Sequence, residues 1–176
     1  MLSSNGEYEW RVSTILGLAE GITGRINELG TSPKGLLHAI QGTSTSSANL
    51  ASLDSFIGKV INLADNQAEN IRVRILATSL LGFTNYERAH TSLQKMLAPT
   101  TPPELLLAAV SALTRLNDPR GAILLTEKKA WSSYTPRIKS AVIAALVSKP
   151  AFINELFTSI EKGTITGAEI SSGDRV

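Results

Sequence analysis

The sequence contains no cysteine, which excludes disulfides, zinc–thiolate sites, iron–sulfur clusters and a thiol nucleophile. Aromatic residues make up only 5% of the chain, so its core must be built from Leu, Ile, Val and Ala. Packed helices suit such a core better than a β-sandwich, whose strands favour aromatic and β-branched residues. Neither sign of charge is in large excess, because the chain has 17 Lys and Arg and 15 Asp and Glu. A net charge of +2 gives the protein only a weak electrostatic field.

Long apolar runs and targeting signals are missing as well. No run is long enough to cross a membrane, and residues 1–7 lack the basic and apolar regions of an export signal. From this N-terminus we expect a cytoplasmic protein or a piece of a longer one. A hydrophobic fraction of 43% is too high for a disordered chain, and 176 residues predict a single domain, 1–176.

Apolar residues recur at helical spacing along the chain, and no stretch alternates long enough to predict a strand. The pattern predicts helices at about residues 8–29, 33–41, 47–65, 69–82, 85–97, 102–116, 119–131, 136–148 and 150–162. Residues 42–47, Gly-Thr-Ser-Thr-Ser-Ser, are typical of a flexible loop. The predicted fold class is all-α.

Capping residues mark the ends of these helices. Asp118-Pro119 and Thr135-Pro136 are typical helix starts, and Gly163 suits a left-handed C-terminal cap. Three pairs have the spacing of a capping box, in which two side chains satisfy each other's backbone N–H groups. They are Thr84 with Glu87, Thr101 with Glu104, and Thr166 with Glu169.

The helices form an internal repeat. Residues 76–81 align with 108–113 at a shift of 32, and these align with 141–146 at a shift of 33. Hairpins that repeat at this period cannot bury their apolar faces alone, so we expect them to stack into an α-solenoid. An irregular helical bundle is the alternative. The clearest repeats are 69–97, 102–131 and 135–162.

The first helices of these repeats, together with the Asp118-Pro119 start of a second helix, resemble HEAT repeats, most specifically at 72–81, 105–116 and 136–149. The order of short motifs over nearly all of 8–172 is similar to the HEAT-repeat segment of exported planctomycete and verrucomicrobial proteins. These are labelled membrane-bound dehydrogenase-like, or PVC-type haem-binding, proteins. The motifs are Trp10-Arg11-Val12, Gly17–Gly21, Arg72-Val73-Arg74, Leu97-Ala98-Pro99, Ala108–Leu116, Trp131–Arg137, Leu146–Pro150 and Ile160–Ile165.

That family places a sugar-dehydrogenase-like β-propeller before the helical repeats and a cytochrome c module with a Cys-x-x-Cys-His motif after them. The haem attachment cannot be carried over, because this chain has no cysteine. The resemblance implies a non-catalytic scaffold that links the two modules in an exported, periplasmic protein. We therefore expect the chain to be a fragment of a larger multidomain protein, with the apolar face of its last hairpin lacking a neighbour.

Residues that could carry chemistry are scattered. His38 and His90 are 52 residues apart, and neither has a partner at metal-ligand spacing. Glu155 and Glu161 have neighbours typical of a solvated face, and Trp131 is expected to fill the junction between two repeats. The sequence predicts no enzyme and no catalytic, metal-binding or cofactor-binding residue.

Basic residues suggest an alternative function. They recur at comparable places in consecutive repeats, as Arg72 with Arg74, Lys128 with Lys129, and Arg137 with Lys139. Stacking would align them along one edge, as in HEAT-like domains that bind nucleic acid. Equally, Lys128 and Lys129 could occupy a helix C-terminus, where cations are favoured. With so low a net charge, the sequence favours a protein partner over nucleic acid.

The second helices, expected at Tyr86–Leu97, Pro119–Trp131 and Pro150–Lys162, carry polar residues of both charges. The first helices carry more Ala, Ser and Thr at their exposed positions. Because varied polar groups give specificity, we predict that a protein, or a neighbouring domain of the same chain, docks on the second-helix face. The predicted surface residues are Arg88, Lys95, Glu127, Lys128, Asn154 and Glu161.

Overall fold

The computed structural model describes residues 47–170 together with residues 10, 13, 14, 16, 17 and 20, whose backbone is helical. Between 47 and 170 eight helices follow one another and no strand occurs. They are α1 Ser47–Asp65, α2 Ile71–Leu81, α3 Tyr86–Met96, α4 Pro103–Leu116, α5 Pro119–Thr126, α6 Lys128–Ser133, α7 Pro136–Ser148 and α8 Pro150–Glu161. The all-α prediction is confirmed. The helix predicted at 33–41 and residues 42–46 of the predicted loop lie outside the described residues.

The single helix predicted at 119–131 is wrong. Helix α5 ends at Thr126, because Glu127 adopts φ −52° and ψ 126°, outside the helical region. The Glu127 carbonyl then accepts a hydrogen bond from the Trp131 N–H at 2.8 Å and so begins α6. Lys128 and Lys129 therefore lie at the start of a helix and not at a C-terminus. They gain no stabilisation from a C-terminal dipole.

Side chains cap several helices at their N-termini. Asp118 accepts from the Arg120 N–H, and Thr135 accepts from the Ile138 N–H, as the sequence predicts. The Arg120 guanidinium also binds the Asp118 carboxylate at 2.7 Å and lowers its pKa. These caps satisfy N–H groups that have no partner inside the helix, which is why the chain starts helices here.

Two predicted capping boxes are wrong. Asn85, one residue later than expected, accepts from the Arg88 N–H at 3.1 Å. Thr84 is buried and donates backwards to the Leu81 carbonyl at 2.7 Å. Helix α4 has Pro102 at its N-cap position and makes no side-chain cap bond, so Thr101 and its Glu partner do not form a box.

The end of α8 forms a Schellman motif. Gly163 has φ +68°, a left-handed conformation that L side chains rarely adopt. The Thr164 N–H donates to the Ser159 carbonyl at 2.9 Å, and the Gly163 N–H donates to the Ile160 carbonyl at 2.9 Å. These two bonds satisfy carbonyls at the helix end. The predicted role of Gly163 is confirmed.

The described residues fall into two compact units, divided between Ser92 and Leu93 within α3. In the first unit α1 packs against α2, and Arg74 Nε donates to the Ala64 carbonyl at 3.1 Å. The core of this unit is mainly aliphatic. It includes Ile57, Val60, Ala64, Val73, Ala77 and Leu81.

The second unit contains two helical hairpins. Helix α4 packs against α5, and α7 packs against α8. The hairpins also contact each other in a regular way, since α4 packs on α7 and α5 packs on α8. First helices thus meet first helices, and second helices meet second helices. The most deeply buried side chains include Leu105, Leu113, Leu125, Ile138, Ile143, Leu146 and Phe152.

In the part of the chain that the structure describes, no helix is both long enough and apolar enough to cross a bilayer.

Candidate interaction surface

Four of the six predicted surface residues lie on or beside the two second helices of the second unit. Glu127 joins α5 to α6, Lys128 begins α6, and Asn154 and Glu161 belong to α8. All four are exposed. Because α5 packs directly against α8, the structure places these four residues on neighbouring elements.

The other two predicted residues lie on α3. Arg88 belongs to the first unit, where its Nη1 lies 2.9 Å from Asp54 Oδ1 on α1. Its side chain is 34% exposed and already carries this ion pair. Lys95 is exposed near the end of α3, on the second unit's side of the division. Arg88 therefore already has an ion-pair partner within the first unit.

Two apolar side chains on the second helices were missed from the sequence. Ile123 on α5 is 55% exposed, and Phe157 on α8 is 59% exposed. The sequence does contain a signal for Phe157. Helical spacing places Phe152 and Leu156 on one side of α8, where both are buried, and turns Phe157 away from that side. A contiguous exposed apolar patch with a polar rim is typical of an interaction surface.

A polar bridge joins the two second helices. Glu155 Oε1 on α8 accepts a hydrogen bond from Thr126 Oγ1 on α5 at 2.8 Å and another from Ser159 Oγ at 3.0 Å. Both hydroxyls are buried and Glu155 is half-buried, so the prediction of a solvated Glu155 is wrong. Glu155 follows the buried Phe152 by three residues, and this spacing places it on the inward side of α8.

Trp131 is buried at 3% exposure and is not available to a partner. Its ring meets Tyr134 edge to face, with centroids 6.1 Å apart, and Lys139 Nζ lies 5.2 Å from the Trp131 ring centroid. Trp131 Nε1 and Tyr134 Oη have no hydrogen-bond partner among the residues that the structure describes. Burial, and to a smaller extent the charge of Glu127, raises the pKa of Tyr134 to about 12.

The residues after α8 turn back towards α7. The Lys139 ammonium pairs with Glu169 Oε1, and Glu169 Oε2 accepts from the Thr166 N–H at 2.8 Å and from Thr166 Oγ1 at 3.0 Å. Half of the predicted capping box is therefore present: Glu169 accepts from the Thr166 N–H, but the Glu169 N–H donates to the Thr166 carbonyl at 3.0 Å and the pair closes a turn where no helix begins. Ile165, within this segment, is 1% exposed.

The Lys139–Glu169 pair predicts a dependence of stability on pH. Hydrogen bonds from Lys139 and Thr166 lower the pKa of Glu169 from 4.5 to about 2. A carboxyl with a depressed folded-state pKa stabilises the protein above its unfolded pKa, and this contribution is lost as the pH falls towards 2. Glu169→Gln should lower the free energy of unfolding by about 1 kcal/mol at pH 7.

Urea unfolding of wild type and Glu169→Gln between pH 7 and pH 3 measures this contribution. The difference between the two proteins should be constant above pH 5 and shrink as the pH falls below 4.5. Glu161→Gln, at the exposed end of α8, is the matched control and should resemble wild type throughout. A Glu169→Gln difference that does not change with pH contradicts the assigned ion pair.

Groups for other chemistry are sparse among the described residues. No cluster of three His, Asp or Glu there could hold a metal ion. His90 stacks on Tyr86 with ring centroids 5.3 Å apart, and its Nδ1 lies 3.0 Å from the Glu87 carbonyl oxygen. His38 lies outside the described residues.

The basic residues of the alternative function have different environments. Lys139 is paired with Glu169, and Arg74 donates to a backbone carbonyl. Three others in the second unit, Lys128, Lys129 and Arg137, are exposed.

Comparison of the chain with models of protein families, with curated proteins and with solved structures finds no match in any of the three.

Proposed function

We propose that this chain is a non-catalytic helical-repeat module that binds a protein, or a neighbouring domain of its own chain, through one face of α5 and α8. This α5–α8 face consists of Ile123, Glu127, Lys128, Asn154 and Glu161. The observation that carries the proposal is the exposure of Ile123 on α5, of Glu127 and Lys128 directly after α5, and of Asn154 and Glu161 on α8, the helix that packs against α5. An apolar centre with a polar surround is the usual composition of a specific interface.

The packing of the second unit supports a solenoid of HEAT-like hairpins as the framework of this module. Its two hairpins stack with equivalent helices in contact, which is how helical repeats share a continuous core. The bridge from Thr126 to Glu155 fixes one second helix on the next. Such a stack presents the α5–α8 face without a folding step, so little conformational entropy is lost on binding.

The motif order described above supplies the setting that we propose for the module. In proteins of the resembled family it would lie between a dehydrogenase-like propeller and a cytochrome c module, in an exported and periplasmic protein. One of those two modules would then be the partner of the α5–α8 face.

Calorimetric titration of this chain with separately purified propeller and cytochrome c modules of that family tests the proposal. One module should bind, and Ile123→Glu should weaken the binding at least about tenfold, since it places a charge at the centre of the interface. Ile71→Glu is the matched control, because Ile71 is 39% exposed on α2 and lies outside the face. Equal weakening by both variants, or no binding of either module, overturns the proposal.

Charge reversal at Lys128 should weaken the same complex less than Ile123→Glu, because an exposed charge contributes mainly to the association rate. Lys128→Glu should also leave the melting temperature unchanged, since Lys128 is exposed. Reversal of Arg88 is unsuitable for this purpose because it would break the ion pair with Asp54.

Nucleic-acid binding is the second candidate, and the exposed Lys128, Lys129 and Arg137 favour it. Chromatography on heparin and on immobilised DNA separates the two functions. If the chain binds a protein partner, as we propose, it should elute from both columns at low salt. Strong retention that falls steeply as salt rises, and that Lys128→Glu with Lys129→Glu abolishes, would favour nucleic acid.

A further inference from the structure

One side of α8 is apolar and faces away from α5. Glu155 and Ser159 mark the side that faces α5, because Glu155 binds Thr126 there. At 100° per residue, Ile153, Phe157 and Ile160 fall on the far side of the helix. Phe157 is 59% exposed, and Ile153 and Ile160 are half-buried. We name Ile153, Phe157 and Ile160 the lateral face of α8.

The lateral face has a self-complementary pattern. Ile153 lies four residues before Phe157, and Ile160 lies three residues after it. If a second α8 packs antiparallel about a two-fold axis at Phe157, the Ile153 of each copy meets the Ile160 of the other. Two-fold interfaces require this property, in which the same patch serves both partners.

Polar residues beside the lateral face are complementary in the same arrangement. Asn154 and Glu161 are exposed on the same flank of the lateral face, one turn before and one turn after Phe157. Antiparallel packing brings residues of the same flank together, so the Asn154 amide of each copy can donate to the Glu161 carboxylate of the other. No like charges meet, and the two helix dipoles oppose each other favourably.

We propose that the lateral face binds a second copy of this chain, forming an antiparallel two-fold dimer of α8 helices centred on Phe157. One helix face per copy buries less than the roughly 800 Å² per partner of a standard interface. The dimer should therefore be weak, with a Kd on the order of 10–100 µM. Asn154 and Glu161 border both surfaces, but Ile123 lies outside the lateral face and Phe157 lies outside the α5–α8 face, so variants at Ile123 and Phe157 distinguish this proposal from the α5–α8 function.

Sedimentation equilibrium of the whole chain from about 5 to about 500 µM tests dimer formation. The mass should rise from 18.8 kDa towards twice that value. Phe157→Glu should raise the Kd at least about tenfold while circular dichroism stays unchanged. Ile123→Glu is the matched control and should dimerise like wild type. A chain that stays monomeric, or a Phe157→Glu variant that still dimerises, overturns the proposal.

The absence of cysteine allows a direct test of the register. Under oxidising conditions the Phe157→Cys variant should form a disulfide-linked dimer, because its sulfur atoms lie at the two-fold axis. Ile153→Cys alone should not, whereas a mixture of Ile153→Cys and Ile160→Cys chains should cross-link to each other. Cross-linking of Phe157→Cys no faster than of Ile71→Cys overturns the proposed axis. Whether or not these variants cross-link, the test of partner binding with Ile123→Glu is unaffected.

Discussion

Phe152→Ala should lower the free energy of unfolding by about 3–5 kcal/mol, the largest effect that we expect from a single substitution in this chain. Phe152 is 0% exposed on α8, which packs against both α5 and α7. Alanine removes the transfer free energy of the ring and leaves a cavity that the neighbouring helices fill only in part. Urea unfolding followed by circular dichroism measures the loss. The slope m should stay close to that of wild type.

Phe157→Ala is a control of the same residue type on the same helix. Phe157 is 59% exposed, so its truncation should change the free energy of unfolding by less than about 0.5 kcal/mol. Both variants are compared at low concentration, where self-association does not contribute to stability. Similar losses for the two variants would mean that the rotation of α8 assigned by the structure is wrong.

The positions of most helices could be predicted because their signals are local. The predicted helices at 47–65 and 136–148 agree with α1 and α7, and Asp118 and Thr135 cap the helices they were expected to cap. A capping side chain acts within three residues, and proline fixes its own φ. Both effects are therefore readable from a few adjacent residues.

Two features that the sequence does not reveal depend on distant residues. The break at Glu127 accompanies the burial of Trp131, which local helix propensity does not encode. The ion pair from Arg88 to Asp54 joins helices α3 and α1, and neither residue has a local pattern that indicates the other. Sequence periodicity gives the face on which a side chain lies, but tertiary packing selects its partner.

Five of the six residues predicted to form the interaction surface are exposed, and Arg88 is half-buried. Polarity predicts exposure, and Glu127 and Asn154 are both exposed. Ile123 is exposed although an apolar residue is expected inside. Which side of α5 is covered depends on the helices packed against it, and that packing is not readable from the sequence of α5 alone.

Glu155→Ala should lower the free energy of unfolding by about 2 kcal/mol. Its carboxylate is the acceptor for the hydroxyls of Thr126 and Ser159, which are 5% and 2% exposed. After the substitution Thr126 can still donate to the Ala122 carbonyl, whose oxygen lies 3.1 Å from its hydroxyl. The loss therefore arises mainly from the Ser159 hydroxyl, which keeps the desolvation cost of a buried unpaired group, and from the broken bridge between α5 and α8.

Two variants separate the loss of an acceptor from the loss of packing. Glu155→Gln keeps an oxygen that can accept both hydrogen bonds, so it should lose less than about 0.5 kcal/mol. The triple variant Thr126→Val, Glu155→Leu, Ser159→Ala removes donors and acceptor together and should recover most of the stability lost in Glu155→Ala. Glu161→Ala, exposed at the end of the same helix, should have little effect on urea unfolding. If Glu155→Ala is as mild as Glu161→Ala, the bridge does not hold the second helices together, and the apolar contacts between α5 and α8 suffice.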